Sequence, residues 1–267
     1  MAGTAMAIYY AESGNKDAPT IVFIHGGGIS GWMWGKQVEY FKDYHCIVPD
    51  LPEHGQSLHE GVMSIPDCAL RIADLIERTA NDKKAHVIGH SLGGKVAVEL
   101  LSIRPDLINR AVVASALFRP MPFLSLIHKP SVYRFTVWLL KNRTVLDWTV
   151  KTFKFPDYYY TENCLKDFQN LTPDSLFQIY DQLYQHLKLP AGLEKISVPT
   201  LIIAGQKEPQ AMRQSVSDMA GLLPSGRGIL LKEADHTYPW TKFPAFNEII
   251  NSWITAQTIS GDFIDIC

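Results

Sequence analysis

Cysteine is too scarce and too scattered in this sequence to hold a fold together. Cys46, Cys68, Cys164 and Cys267 are the four thiols, and no two form a Cys-x-x-Cys pair. That spacing speaks against a disulfide framework and a zinc site; it predicts free thiols in a reducing cytoplasm, with Cys46 and Cys68 as buried apolar residues. Long apolar runs are missing too, and nothing approaches the ~20 residues of a membrane span. The opening MAGTAMAIYYAESG has neither the basic region nor the apolar stretch of a secretory signal. Charge of one sign is also lacking. A net −2 offers no electrostatic case for nucleic acid or an acidic membrane surface as partner. There is no internal repeat or low-complexity tract, and nothing fixes an oligomeric state. What is present is a 267-residue chain that is 46% hydrophobic and 19% charged, enough for one large core or a core with an insertion.

Short β-like runs alternate with helical stretches. Strands are expected at 7–13, 20–25, 45–50, 85–90, 110–116, 199–205 and 227–234. Helices are expected at 32–43, 64–79, 91–103, near 210–221 and at 242–256. In the second of these Ile65, Ala69, Ile72, Leu75 and Ile76 recur at helical spacing behind a Ser64 N-cap. This alternation predicts an α/β fold with a mainly parallel sheet covered by helices on both faces. The rhythm breaks between 118 and 192, where aromatic and aliphatic residues fall into helical groups bounded by FRPMPF and KLPAG. That segment reads as an inserted helical cap on a core made of 1–117 and 193–267.

One loop has two readings. In HGGGISGWMW, residues 25–34, Gly26, Gly28 and Gly31 spell G-x-G-x-x-G after a strand, the shape of a dinucleotide-binding turn. The same residues also spell His-Gly-Gly-Gly, the shape of an oxyanion loop. The stretch GHSLGG at 89–94 decides between them. G-x-S-x-G alone would arise by chance in about one chain of this length in ten. Here an apolar strand enters it and an amphipathic helix leaves it, the strand–turn–helix setting that a nucleophile elbow needs. The bland alternative is that Ser91 only caps its helix.

A serine hydroxyl needs a base, and histidine is the natural one. Of nine histidines, His236 follows the last expected strand in EADHTYPW, on the sheet edge where strand C-termini and Ser91 lie. His25 is read as bracing the glycine loop, and His90 as pointing away from the serine. The third member is a carboxylate that fixes the imidazole. Glu208 is the first acid after the strand LIIAG, giving the chain order Ser91, Glu208, His236. Asp235 is the rival, discounted because adjacent side chains rarely fold back on one another.

With these stretches, and with PDLPEHGQS at 49–57 and Trp34 downstream of HGGG, the chain resembles the α/β-hydrolase superfamily along nearly its whole length. Two departures stand out. In the family's Asp-x-x-Gly-x-Gly-x-Ser pattern, Asp50, Gly55 and Ser57 fit, but Glu53 replaces the first glycine. The acid is glutamate where aspartate is usual. The resemblance implies an oxyanion hole formed by the N–H of Leu92 and an N–H of the HGGG loop, Gly27 or else Gly28. It also implies a serine esterase acting through an acyl-enzyme on a small or medium, apolar ester, with no metal and no organic cofactor. Phe118, Met121, Phe123, Trp138, Trp148 and Tyr158 to Tyr160 suggest an apolar pocket under the cap.

Other readings remain. The dinucleotide reading has Asp50 about twenty residues after the glycines, but His25 intrudes, Trp32 to Trp34 crowd the helix start, and the elbow goes unexplained. Carbon–carbon bond hydrolase, lactonase, amidase and perhydrolase chemistry share the triad. A non-catalytic protein binding a small ligand shares the fold.

Overall fold

The computed structural model describes residues 7–121 and 127–266, so Phe123 and Cys267 lie outside the described residues. Eight strands form one sheet: β1 (Tyr10–Gly14), β2 (Thr20–Ile24), β3 (His45–Pro49), β4 (Ala85–His90), β5 (Ile108–Ala114), β6 (Thr200–Gly205), β7 (Gly226–Leu231) and β8 (Phe263–Asp265). Their order is β1-β3-β2-β4-β5-β6-β7-β8. The six central strands are parallel, and β1 and β8 close the edges antiparallel. β8 was not expected from sequence. A three-residue edge strand has too short a pattern to read, and its pairing to β7 is a tertiary event.

The pleat explains the core. Ile21, Phe23, Cys46 and Val48 face one side, and Val22, Ile24 and Ile47 face the other, each side building its own apolar cluster. One face is covered by α2 (Ile65–Thr79), α3 (Leu92–Ile103) and α8 (Gln210–Leu222); the other by α1 (Gly35–Tyr40) and α10 (Phe243–Ile254). Ser64 caps α2 by accepting from the Asp67 N–H, and Ile65, Cys68, Ala69, Ile72, Leu75 and Ile76 turn inward. Cys46 and Cys68 are buried and free, and burial pushes both thiols up to about 12. The expected helix at 32–43 instead begins as a 3-10 turn over Gly31–Trp34 and continues as the short α1. The last helix expected at 242–256 forms as α10, and it is preceded by the short α9 (Tyr238–Thr241), with Pro239 and Pro244 each in a first turn.

Between β5 and β6 the described chain forms α4 (Pro130–Leu140), α5 (Arg143–Thr152), α6 (Tyr158–Asn170) and α7 (Pro173–Gln185). Among the described residues this insertion contains no strand. Asn142 caps α5, Asp157 caps α6, and Thr172 with Ser175 forms a capping box on α7. No described helix is long and apolar enough to cross a membrane.

Candidate active site

Because the central strands are parallel, their C-terminal ends gather the loops that follow them on one edge. Ser91 follows β4, Ser115 follows β5, Glu208 follows β6 and His236 follows β7, while the HGGG loop follows β2. Ser91 sits at φ 54°, ψ −112°, a conformation disfavoured for a residue with a Cβ. Such strain costs on the order of 1–3 kcal/mol and persists only where its surroundings over-determine it. Here the Ser91 N–H donates to the Ala114 carbonyl at 2.8 Å, pinning the turn to β5. A Cβ on Gly93 would lie 2.2 Å from the Ile24 carbonyl oxygen, and one on Gly89 2.2 Å from that of Gly93. Both flanking glycines are therefore required by backbone packed on backbone.

Glu208 and His236 meet. Glu208 Oε2 lies 3.0 Å from His236 Nδ1, with the Glu208 side chain almost fully buried and His236 about half exposed. The other carboxylate oxygen, Oε1, accepts from the Gly205 N–H at 2.8 Å and from the Ser115 hydroxyl at 2.6 Å. The Ser115 Oγ in turn lies 3.1 Å from the Tyr238 hydroxyl. Asp235 faces elsewhere: it accepts from the Thr237 N–H and hydroxyl and pairs with Lys154. His90 packs against His236 with the ring centroids 4.7 Å apart and the planes tilted by 47°, and its Nε2 donates to the His236 carbonyl at 3.1 Å. The His236 loop is thus docked onto the residue preceding Ser91. Ser91 Oγ itself makes no hydrogen bond to His236 in this structure.

The HGGG loop is held by two buried histidines whose ring centroids lie 4.9 Å apart with the planes tilted by 57°. His25 accepts from the Leu51 N–H at 2.9 Å, and its Nδ1 faces the Gly26 carbonyl at 2.8 Å. His54 accepts from the Gly28 N–H at 3.0 Å, and its Nδ1 faces the Pro52 carbonyl at 2.8 Å. Loss of water drives His25 down to about 4 and His54 to about 3, so both are neutral and keep these tautomers at pH 7. The Gly28 amide is engaged by His54, whereas a Cβ on Gly27 would sit 3.6 Å from the Leu92 side chain. Asp50 does not face outward like a ribose-binding acid. It accepts from the Gly31 and Gln56 N–H groups at 2.8 Å each, locking the loop after β3 to the loop after β2. Glu53, where the resembled pattern has glycine, adopts φ 64°, the left-handed region that explains that glycine.

Ser115, His54 and Tyr238 were not singled out from sequence. Ser115 lay inside an apolar run that reads as strand to its end. His54 and Tyr238 lay inside the quoted stretches PDLPEHGQS and DHTYPW, so their signal was position within a motif.

The helices between β5 and β6 reach this site. Ile179 of α7 would be 2.8 Å from a Cβ on Gly27, so only glycine lets the helix approach. Lys95, one turn after Ser91, donates to the His186 carbonyl at the end of α7 and lies 4.5 Å over the Phe118 ring; burial pulls its ammonium down to about 7. Asp167 of α6 accepts from Ser30 Oγ at 2.9 Å and Trp32 Nε1 at 2.6 Å, tying the insertion to the glycine loop. The aromatic pocket expected from sequence is corrected here. Phe118 and Tyr160 are buried, but Trp138, Trp148, Tyr158 and Tyr159 all face outward. Helical spacing showed that these residues share helices, not which face each helix turns inward.

Burial raises the Asp167 carboxyl to about 6, above the ordinary 3.8. Between those values the folded chain binds the proton and the unfolded chain does not, so this group's contribution to stability falls as pH rises from about 4 to 6. Asp167→Asn keeps an acceptor and removes the titration. Relative to the parent protein it is expected to gain up to ~2 kcal/mol across that interval in urea unfolding. His25 and His54 oppose this trend in both proteins and cancel in the difference. A constant difference across the interval would show that Asp167 is not buried as described.

Residues 21–246 match the sequence model of the Alpha/beta hydrolase family. The chain is 29% identical over 245 residues to a pimeloyl-[acyl-carrier protein] methyl ester esterase of Vibrio campbellii, covering 85% of this chain and 91% of that one. It is 23% identical over 255 residues to an (E)-2-((N-methylformamido)methylene)succinate hydrolase of Acinetobacter baylyi, covering 92% and 93%. Among solved structures, a thermophilic esterase of Thermogutta terrifontis superposes with a TM-score of 0.72 at 20% identity, covering 93% of each chain.

Proposed function

This chain belongs to the alpha/beta hydrolase family, and from that membership we propose that it is a serine hydrolase cleaving a small or medium carboxylic ester. In this reading His236 removes the proton of Ser91, whose oxygen attacks the ester carbonyl. The oxyanion is held by the Leu92 and Gly27 N–H groups. Leu92 opens α3, so its amide has no partner within the helix, and Gly27 lies beside it. His236 then gives the proton to the leaving alcohol, and next activates a water that releases the acid. Glu208 holds the imidazole tautomer throughout and stabilises its charged form. The chemistry asks Ser91 Oγ and His236 to come within hydrogen-bond reach, a contact that commonly tightens only with substrate in place.

The observation that carries the reading is the Glu208–His236 hydrogen bond, with Glu208 buried and oriented by Ser115 and Gly205. The insertion is proposed to act as a cap, since Ile179 lies over Gly27 and lends the site an apolar wall. A fluorophosphonate probe tests the reading. Ser91 should be labelled, and a panel of p-nitrophenyl esters of graded chain length should be turned over. No labelling together with no ester hydrolysis would leave a binding protein; labelling without ester hydrolysis would move the chemistry to an amide, lactone or carbon–carbon bond.

A further inference from the structure

The near-zero net charge of the chain hides a strong asymmetry. Between Ile127 and Lys154 there are six basic residues, Lys129, Arg134, Lys141, Arg143, Lys151 and Lys154, and one acid, Asp147. This segment is +5 in a chain of net −2, so the remainder carries −7. All six basic side chains are on exposed residues. Arg143 pairs with Asp147 and Lys154 with Asp235; among the described residues the other four have no acidic partner.

The same helices expose large aromatic rings. On α4, Tyr133 and Val137 turn inward, which places Arg134, Phe135 and Trp138 on the outer side, while Lys141, just past the helix end, donates to the Gln169 carbonyl. Phe135 is 58% exposed and Trp138 66%, and their rings stack on each other at 5.6 Å. On α5, Leu146 and Val150 turn inward, and Trp148, 69% exposed, shares the outer side with Lys151. Isolated apolar residues on a surface need no explanation, but a stacked aromatic pair on one helix and an exposed tryptophan on the next, in a strongly basic segment, do.

We propose that the outer face of α4 and α5 docks on an anionic phospholipid surface. Tryptophan is favoured at the level of lipid headgroups, where its ring is half in apolar surroundings and its N–H stays wet. Lysine and arginine beside it are drawn to acidic headgroups, and the two contributions add. The charge also speaks against a second copy as the occupant: a two-fold interface sets a patch against itself, here +5 against +5. The proposal departs from the expectation drawn from net charge alone, because a membrane responds to the face presented and not to the sum. The inference is independent of the chemistry at Ser91.

The test is co-sedimentation with vesicles of phosphatidylcholine alone and of phosphatidylcholine mixed equally with phosphatidylglycerol. The protein should partition onto the mixed vesicles and be released by high salt, with tryptophan emission moving to shorter wavelength on binding. Arg134→Glu with Lys151→Glu should weaken partitioning at least ~10-fold. Trp138→Ser with Trp148→Ser should weaken it and abolish the emission shift, and thermal melting confirms that both variants fold. Equal partitioning onto the two vesicle types, or none onto either, overturns the proposal. So does sedimentation velocity showing an oligomer that these same substitutions dissociate, because the face would then belong to a second copy.

Discussion

Ser91→Ala is expected to lower kcat for p-nitrophenyl ester hydrolysis by about 10⁴- to 10⁶-fold, with KM little changed. The substitution removes the attacking oxygen and leaves the oxyanion donors and the binding walls in place, so what survives should be the modest acceleration those groups supply by themselves. The fold should tolerate it. Alanine carries the same Cβ at φ 54°, and the hydrogen bond pinning the turn runs from the backbone N–H to Ala114. Melting temperature and vesicle binding should therefore match the parent protein, which separates lost chemistry from lost structure. Fluorophosphonate labelling should vanish together with turnover. Equal rates for the two proteins would sink the acyl-enzyme mechanism outright.

Glu208→Gln should cost about 10³- to 10⁴-fold in kcat, and the reason is geometric. Oε1 is fixed as an acceptor by two donors, the Gly205 N–H and the Ser115 hydroxyl. A glutamine must keep its carbonyl oxygen there, so its NH₂ group points at His236 Nδ1. The imidazole can then accept at Nδ1 only by carrying its proton on Nε2, the nitrogen that the mechanism needs as a base. The variant should stay folded and still bind substrate, so kcat should fall far more than KM rises. Full activity in this variant would remove Glu208 from the proposed triad.

Much of this was legible along the chain because it is local. The apolar run AHVIGH, the flanking glycines and the amphipathic stretch after Ser91 are neighbours in sequence, and the strand–turn–helix they predict forms over 85–103. The parallel sheet followed from continuous apolar runs such as TIVFI and TLIIAG, which are buried at every position. The tie between Asp167 and the glycine loop spans more than 130 residues and had no local signal. Nor did the contact of Ile179 with Gly27, since α7 shows only that it is amphipathic.

The sequence by itself determined the fold class, the elbow at Ser91, and the placing of Glu208 and His236 on loops at one sheet edge, because hydrophobic period and strand direction are carried by neighbouring residues. Only the tertiary structure decided which partner each polar atom takes. It gave Asp235 to Thr237 and Glu208 to His236, engaged the Gly28 amide with His54, and bound Asp50 to the Gly31 amide. It also turned Trp138 and Trp148 outward. Such choices depend on distances between segments far apart in the chain, which packing sets and periodicity does not record.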